Sequence, residues 1–131
     1  MSWPRNLARV QPIGLFMLLF AISGCESRGP APPNAFLSST AARDAGARLY
    51  AAHCAICHGA DGSGSVARQS FMVPRPGNLT VPPWSRRRDA GRTYAAIRAG
   101  VSRTAMAGWP ALTTSQTWEL VAYIEYLGHG A

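Results

Sequence analysis

The stretch Ala52-His53-Cys54-Ala55-Ile56-Cys57-His58-Gly59 decides how the rest of this chain is interpreted. Two cysteines are separated by two residues, and a histidine directly follows the second cysteine. This pattern is typical of covalent haem attachment, because two thiols about one helical turn apart can each form a thioether bond to the same haem. A histidine in the next position lies under the iron. The motif therefore predicts Cys54 and Cys57 as covalent anchors and His58 as the proximal iron ligand.

Other kinds of site use the same cysteine spacing. A thioredoxin-like redox centre has the motif at the start of a helix inside a βαβ unit, and no strand pattern precedes Cys54. A structural zinc site takes four ligands, and the histidines outside the motif's last position are only the adjacent His53 and the distant His129. We therefore favour haem attachment, and a chance match to the motif is the remaining alternative.

The length and the charge of the chain limit its possible functions. A chain of 131 residues fits one domain with short appendages. Arginine supplies all 13 positive charges against 6 acidic residues, which gives a formal net charge of +7. Such a basic surface favours an acidic partner protein or an anionic membrane surface. Nucleic acid is not expected as a partner, because the arginines do not alternate with aromatic residues in a recognisable binding module.

The N-terminal residues have the features of an export signal. Arg5 and Arg9 precede an apolar run over residues 13–22, which is too short to span a bilayer, where about 20 residues are needed. The run ends in Ile22-Ser23-Gly24-Cys25, which resembles the lipobox of bacterial lipoproteins. We therefore expect residues 1–24 to be removed as a signal peptide and Cys25 to carry a lipid anchor. An ordinary signal peptide or an uncleaved anchor is the alternative.

Residues 25–39 are polar and proline-rich, and they predict a flexible tether between this anchor and a haem domain over residues 40–131. An exported protein with a lipid anchor would lie on the periplasmic side of a bacterial membrane. The use of cysteine agrees with this arrangement, since Cys25 takes lipid, Cys54 and Cys57 take haem, and no cysteine is left for a disulfide.

A helix is expected just before the motif, over residues 41–53, with Ser39 or the next residue as its N-cap. Gly46, Tyr50 and Cys54 share one face of this helix, because they recur at intervals of four. A glycine inside a helix costs up to about 1 kcal/mol relative to alanine. Its presence therefore indicates that another backbone approaches the helix closely at this point.

Two more helices are predicted towards the C-terminus, over residues 90–99 and 114–127. Thr113 and Gln116 have the spacing of a capping box, which marks the start of the last helix. The apolar side of this helix is wide and is expected to face the core; it consists of Trp118, Leu120, Val121, Ile124 and Leu127.

The segment over residues 71–83 contains four prolines, which exclude a regular helix or a central strand. A stiff segment of this kind can wrap the edge of a cofactor. Metal-bound histidines usually donate their second ring N–H to an acceptor, and the carbonyl of Pro74 is the acceptor that we predict for His58. The basic run Arg86-Arg87-Arg88 further on is either a docking patch for a partner or a solvated surface turn.

Met106 is the candidate for the second iron ligand. A thioether ligand raises the potential of the haem in cytochromes, and Met106 lies among small, flexible residues from which its sulfur can reach the iron. Met72 is the rival within the mature chain, and packing in the core is the alternative for any methionine. Trp109 is expected to pack near the haem, with an exposed aromatic side chain as the alternative.

Taken together, these features resemble the class I (mitochondrial-type) c-type cytochromes of bacteria over about residues 41–127. The attachment motif matches, as do Gly46 and Tyr50 of the first helix and their counterparts Leu120 and Tyr123 of the last helix. The resemblance implies an all-α fold, in which a small helical domain wraps around one covalently attached haem c. It also implies that the two terminal helices cross where the glycine permits close contact.

Met106 matches the distal methionine of that family in order and position, which implies iron ligation by this residue. The chain departs from the family at the next position, where many relatives have proline. Here Ala107 and Gly108 come between the methionine and Trp109.

The expected function is single-electron transfer between respiratory or periplasmic redox partners, by a membrane-tethered monohaem cytochrome with His58 and Met106 as iron ligands. No acid–base pair or nucleophile indicates substrate chemistry, so we expect an electron carrier, monomeric or part of a complex, and not an enzyme. One alternative is the haem subunit of a membrane oxidoreductase complex. Another is a five-coordinate haem that acts as a gas sensor or peroxidase, which requires that Met106 is not bound.

Overall fold

The computed structural model describes residues 34–65, 71–81 and 90–130. These residues form five helices, which are α1 (Asn34–Leu37), α2 (Thr40–His53), α3 (Ala55–His58), α4 (Ala90–Ala99) and α5 (Thr114–Gly128). Among the described residues there is no β-strand, and the one β-type pairing is an isolated antiparallel bridge between Gly100 and Ala107. The predicted all-α fold class is therefore confirmed.

Several features predicted from the sequence lie outside the described residues. They are the signal peptide over residues 1–24, the lipidation site Cys25 and the basic run Arg86-Arg87-Arg88. No helix in the described ranges is both long enough and apolar enough to cross a membrane.

The core is built where α2 packs against α5. From α5, Leu120 and Val121 are fully buried, and from α2 the ring of Tyr50 is almost completely buried. Helix α4 covers another side of α5, where the rings of Tyr94 and Trp118 lie 4.5 Å apart between centroids. Helix α5 is thus the central element, because both other long helices bury their apolar faces against it.

Gly46 allows α2 and α5 to approach each other so closely. A Cβ atom at this position would overlap the carbonyl oxygen of Glu119 and would lie 2.9 Å from Cβ of Tyr123. The close approach that was predicted from a glycine inside a helix is therefore present, and the partner is the backbone of α5.

Helices α2 and α5 both begin at the N-cap residues that the sequence predicts. The hydroxyl of Ser39 accepts a hydrogen bond from the Ala42 N–H at the start of α2. At the start of α5, Thr113 Oγ1 accepts from the Gln116 N–H at 3.2 Å, and Gln116 Oε1 accepts from the Thr113 N–H at 2.9 Å. This reciprocal pair is the predicted capping box, and it satisfies N–H groups that have no partner within the helix.

The stretch predicted as a tether contains one structural element. Residues Asn34–Leu37 form the short helix α1, and Phe36 and Leu37 pack against the core. Helix α1 therefore packs on the core although it lies before residue 40, the boundary that we drew from composition. The reason is hydrophobic burial, because covering the core with two large apolar side chains of this polar, proline-rich stretch stabilises the folded state.

We expect the substitution Gly46→Ala to lower the free energy of unfolding by about 1–3 kcal/mol, because the added methyl group has no space next to the Glu119 carbonyl. In a helix without such a contact the same change would stabilise the protein by up to about 1 kcal/mol, so the sign of the effect is informative. Chemical denaturation of both proteins measures it. Ala51→Ser, on the exposed face of α2, is the control and should change stability by less than about 0.5 kcal/mol.

Candidate haem site

The attachment motif lies at a break between two helices. Helix α2 ends at Cys54, whose N–H still donates to the Tyr50 carbonyl at 2.8 Å, and the single turn α3 follows. The N–H groups of Cys57 and His58 both donate to the Cys54 carbonyl, at 3.1 and 2.9 Å. Gly59 ends the turn with a φ of 82°. The two cysteines therefore lie one helical turn apart, and His58 comes directly after them.

Both thiols of the motif are half-buried and free of disulfide bonds. Burial, with a smaller contribution from Cys57 nearby, raises the pKa of Cys54 to about 11. Cys54 is therefore a neutral thiol at physiological pH. This argues against a thioredoxin-like centre, since the attacking cysteine of such a centre has a lowered pKa.

Tyr50 ties the end of α2 to the end of the motif. Its hydroxyl donates to the Gly59 carbonyl at 2.7 Å in a buried position. Burial raises the pKa of Tyr50 above its ordinary value, with smaller contributions from Cys54, Tyr123 and Asp61, so the hydroxyl keeps its proton and remains a donor. The ring lies 5.1 Å from that of Tyr123 on α5. The motif is thus fixed to the core through one tyrosine.

The ring of His58 is oriented by a backbone carbonyl. Its Nδ1 lies 3.1 Å from the Gly77 oxygen. A carbonyl oxygen only accepts hydrogen bonds, so Nδ1 carries the proton and, in the neutral ring, Nε2 holds the lone pair that an iron ligand needs.

The prediction that Pro74 supplies this acceptor was wrong, because Gly77 supplies it. The reason lies two residues further on, where the Leu79 N–H donates to the Gly62 carbonyl at 2.7 Å and holds the end of the segment beside the loop that follows the motif. This hydrogen bond brings Gly77, and not Pro74, next to the imidazole. Pro74 instead forms part of the cavity wall.

One cavity of about 510 Å³ lies beside the motif, within the usual range for small-molecule and cofactor sites. The site residues predicted in the described ranges all line it; they are Cys54, Cys57, His58, Met106, Pro74 and Trp109. Met72, the rival methionine, lines it as well.

Residues 100–112, which we call the methionine loop, are fixed by close backbone contacts. The Val101 N–H donates to the Met106 carbonyl at 3.0 Å. A Cβ on Gly100, which has a φ of 76°, would lie 2.6 Å from the Met106 oxygen, and a Cβ on Gly108 would lie 2.6 Å from the Arg98 oxygen. From the sequence alone, the small residues here predict a flexible loop. In the structure they allow tight packing instead.

The sequence did not indicate the contacts of two residues of the site, His53 and Arg98. The ring of His53 lies 4.8 Å from that of Trp109, so the residue before the motif contacts the methionine loop. The half-buried Arg98 donates from Nη1 to the carbonyls of Pro110 and Leu112. Neither contact has a local signal in the sequence, because the partners are separated by more than ten residues and follow no helical period.

The residues present fit a haem better than a bare metal ion. Among the described residues, no group of three or more His, Cys, Asp or Glu side chains is placed to hold a metal ion, which argues against the zinc interpretation. In contrast, an imidazole whose ring is oriented by a backbone carbonyl, two thiols one turn apart and a thioether all border one cavity. These are the groups that a c-type haem with histidine and methionine ligands uses.

A family model described as cytochrome c oxidase, cbb3-type, subunit III, matches residues 41–124. Among solved structures, the chain is similar to a chain of the reducing HAO-like protein complex of Kuenenia stuttgartiensis, with a TM-score of 0.57 and 26% sequence identity over 64% of this chain. The similarity spans only 41% of that other chain. No curated protein matches the sequence significantly.

We expect Tyr50→Phe to lower the free energy of unfolding by about 1–2 kcal/mol, because the buried Gly59 carbonyl loses its hydrogen-bond donor. Tyr126→Phe is the matched control, since the same hydroxyl is removed from a ring that is 40% exposed. The control should change stability by less than about 0.5 kcal/mol. Equal effects of the two substitutions in chemical denaturation would show that the Tyr50 hydroxyl does not anchor the motif.

Proposed function

We propose that this chain, which belongs to the cbb3-type cytochrome c oxidase subunit III family, transfers single electrons through one covalently bound haem with His58 and Met106 as its axial ligands. The main observation that supports this proposal is that both cysteines of the motif, its histidine and Met106 border the same cavity. The family membership makes the chain a c-type cytochrome domain. The ligand set and the covalent bonds are our proposal.

Each residue has a separate role in this proposal. Cys54 and Cys57 hold the haem through thioether bonds, and His58 supplies Nε2 to the iron. When bound, the haem supplies an iron that changes by one electron between its ferric and ferrous forms. The hydrogen bond from Nδ1 to the Gly77 carbonyl keeps the imidazole in one orientation in both forms.

Met106 is a better candidate than Met72 for the other side of the iron. Two residues that ligate one haem iron would have to come from opposite sides of the cavity. Met72 lies five residues before Gly77, in the segment that contacts His58, and this contact supports a position of that segment on the histidine side. Met106 lies in the methionine loop, whose backbone is held by contacts with the end of α4.

Exposed apolar side chains next to the cavity support electron transfer to a protein partner. Ile56 lines the cavity and is 58% exposed, and Phe71 and Val73, which flank the cavity-lining Met72, are 90% and 91% exposed. Large apolar side chains in water favour transient contact with another protein. Arg75, which is exposed at the same cavity, adds a positive charge that would attract an acidic partner.

The membrane setting extends this proposal beyond the described residues. A signal peptide over residues 1–24 would direct export and would then be removed, and a lipid on Cys25 would hold the domain on the periplasmic side of a bacterial membrane. The basic run Arg86-Arg87-Arg88 would then be available for docking. Redox partners of a tethered carrier are limited to those near the same membrane, so a small, weak interface is sufficient.

A haem subunit of an oxidoreductase complex is the second candidate. The family model is named after an oxidase subunit, and the similar solved chain belongs to a protein complex. Both candidates use the same haem chemistry and differ in whether the partner stays bound. Co-purification from detergent-solubilised membranes at low and high salt distinguishes a permanent subunit from a carrier that dissociates.

We expect Met106→Ala to abolish the weak long-wavelength absorption of methionine bound to ferric iron. The midpoint potential should fall by at least about 0.1 V, a modest part of the roughly 0.8 V range that axial ligands control. Carbon monoxide should then bind the reduced protein readily. An optical redox titration gives both the band and the potential.

Met72→Ala is the matched control for this experiment and should keep the band and the potential. Loss of the band in Met72→Ala, with Met106→Ala unchanged, would reverse the assignment of the ligand. Absence of the band from the unsubstituted protein would favour a haem with an open face, as in a gas sensor or peroxidase.

Replacing both Cys54 and Cys57 by alanine should release the haem from the polypeptide under denaturing conditions, because no thioether bond remains. Cys25→Ser is the control, since it removes only the predicted lipid. That variant should keep covalent haem and lose its acyl chains, and mass spectrometry of the purified proteins measures both. Haem that stays attached to the double variant would contradict the proposed attachment.

A further inference from the structure

Arg98 connects the end of α4 to the far end of the methionine loop. Its Nη1 donates to the Pro110 carbonyl at 3.0 Å and also to the Leu112 carbonyl. Leu112 is buried, and the residue after it, Thr113, caps α5. One half-buried guanidinium group therefore fixes the point where the loop ends and the central helix begins.

The backbone beside Arg98 holds the same part of the loop. The Trp109 N–H donates to the Ile97 carbonyl at 2.9 Å, and Gly108 packs against the Arg98 carbonyl without space for a side chain. The loop thus leaves α4 at Gly100 and returns to the same end of that helix about ten residues later. Met106 lies between these two points.

The arginine contacts add to this closure two hydrogen bonds that come from a side chain of α4. A charged donor makes stronger hydrogen bonds than a neutral one, and a planar guanidinium can serve two acceptors from one nitrogen. Without the arginine, the carbonyls of Pro110 and of the buried Leu112 would lose this donor. No local pattern in the sequence indicates this role of Arg98.

We propose that Arg98 is a positioning residue, which holds the methionine loop closed through the carbonyls of Pro110 and Leu112 and thereby keeps Met106 on the iron. The inference rests on the proposed ligation by Met106. The loop must open before an external ligand can take the place of the thioether. The apparent affinity for such a ligand therefore increases in proportion to the fraction of molecules with an open loop.

The test is a titration of the ferric, haem-loaded protein with imidazole, followed by the long-wavelength band. We expect Arg98→Ala to bind imidazole at least about ten times more tightly than the unsubstituted protein, because the loss of even one of its two charge-assisted hydrogen bonds predicts a change of this size. Arg98→Lys keeps the charge and a donor, so its affinity should lie between the two. Arg48→Ala, on an exposed position of α2, removes the same charge away from the loop and should bind imidazole as the unsubstituted protein does.

Amide hydrogen exchange supplies a readout that does not depend on iron ligation. The Trp109 N–H should exchange about ten times faster in Arg98→Ala, whereas the Cys54 N–H, which donates to Tyr50 outside the loop, should keep its rate. If Arg98→Ala does not fold, Arg98→Lys and Arg98→Gln take its place, with smaller expected changes in the same direction.

Three results would overturn the inference. They are an imidazole affinity in the Arg98 variants within twofold of the unsubstituted protein, an equal change in Arg48→Ala, and faster exchange of all amides together. The last result would mean that the whole fold, and not the loop, has been weakened. A missing band in the unsubstituted protein is a different outcome, because it contradicts ligation by Met106 and leaves the exchange experiment to decide the role of Arg98 in loop closure.

Discussion

Helices α2 and α5 touch at Gly46, where the absence of a side chain brings the backbone of α2 against the carbonyl of Glu119, and the position of the haem site depends on this contact. One turn further along the same face, Tyr50 is buried against α5 and holds the Gly59 carbonyl. Another turn further, Cys54 ends the helix at the cavity. The spacing of four residues thus converts a packing contact into the placement of the attachment motif. An alanine in place of the glycine would push the helix away and would displace the motif with it.

The other walls of the cavity come from segments without regular structure, so they are held by individual hydrogen bonds. The segment after Phe71 is fixed at two places, where Gly77 accepts from His58 and where Leu79 donates to Gly62. The methionine loop is fixed against the end of α4. One wall of the cavity is therefore connected to α3 and to the loop after the motif, and the other wall to α4, so a small domain can border a large cavity without a sheet. The loss of one such hydrogen bond would loosen the wall that it holds.

The sequence was sufficient for the parts of the fold that are governed by local rules. The caps at Ser39 and Thr113 and the glycine in α2 each have a short-range cause, and the structure contains them. The acceptor for His58 could not be found in this way, because Gly77 is 19 residues away and is selected by how the intervening loop folds. The same is true of Arg98, whose acceptors lie 12 and 14 residues downstream. In α1, burial of Phe36 against the core outweighed a polar and proline-rich composition. Local patterns therefore predict which residues surround the cavity, and tertiary contacts decide how each one is held.

The residues after Met106 show how one restraint can replace another. Proline at that position, which many cytochromes of this class have, would fix the backbone by its ring and remove an N–H. This chain has Ala107 and Gly108 instead, and the isolated bridge from Gly100 to Ala107 holds the loop at that point. The missing side chain of Gly108 then lets the loop pack onto the Arg98 carbonyl. A thioether is a weak axial ligand that stays bound only if the polypeptide holds it near the iron, so a loop without proline needs such contacts more. In the proposed cytochrome, close backbone packing and the Arg98 guanidinium together take over the restraint that the proline ring gives in its relatives.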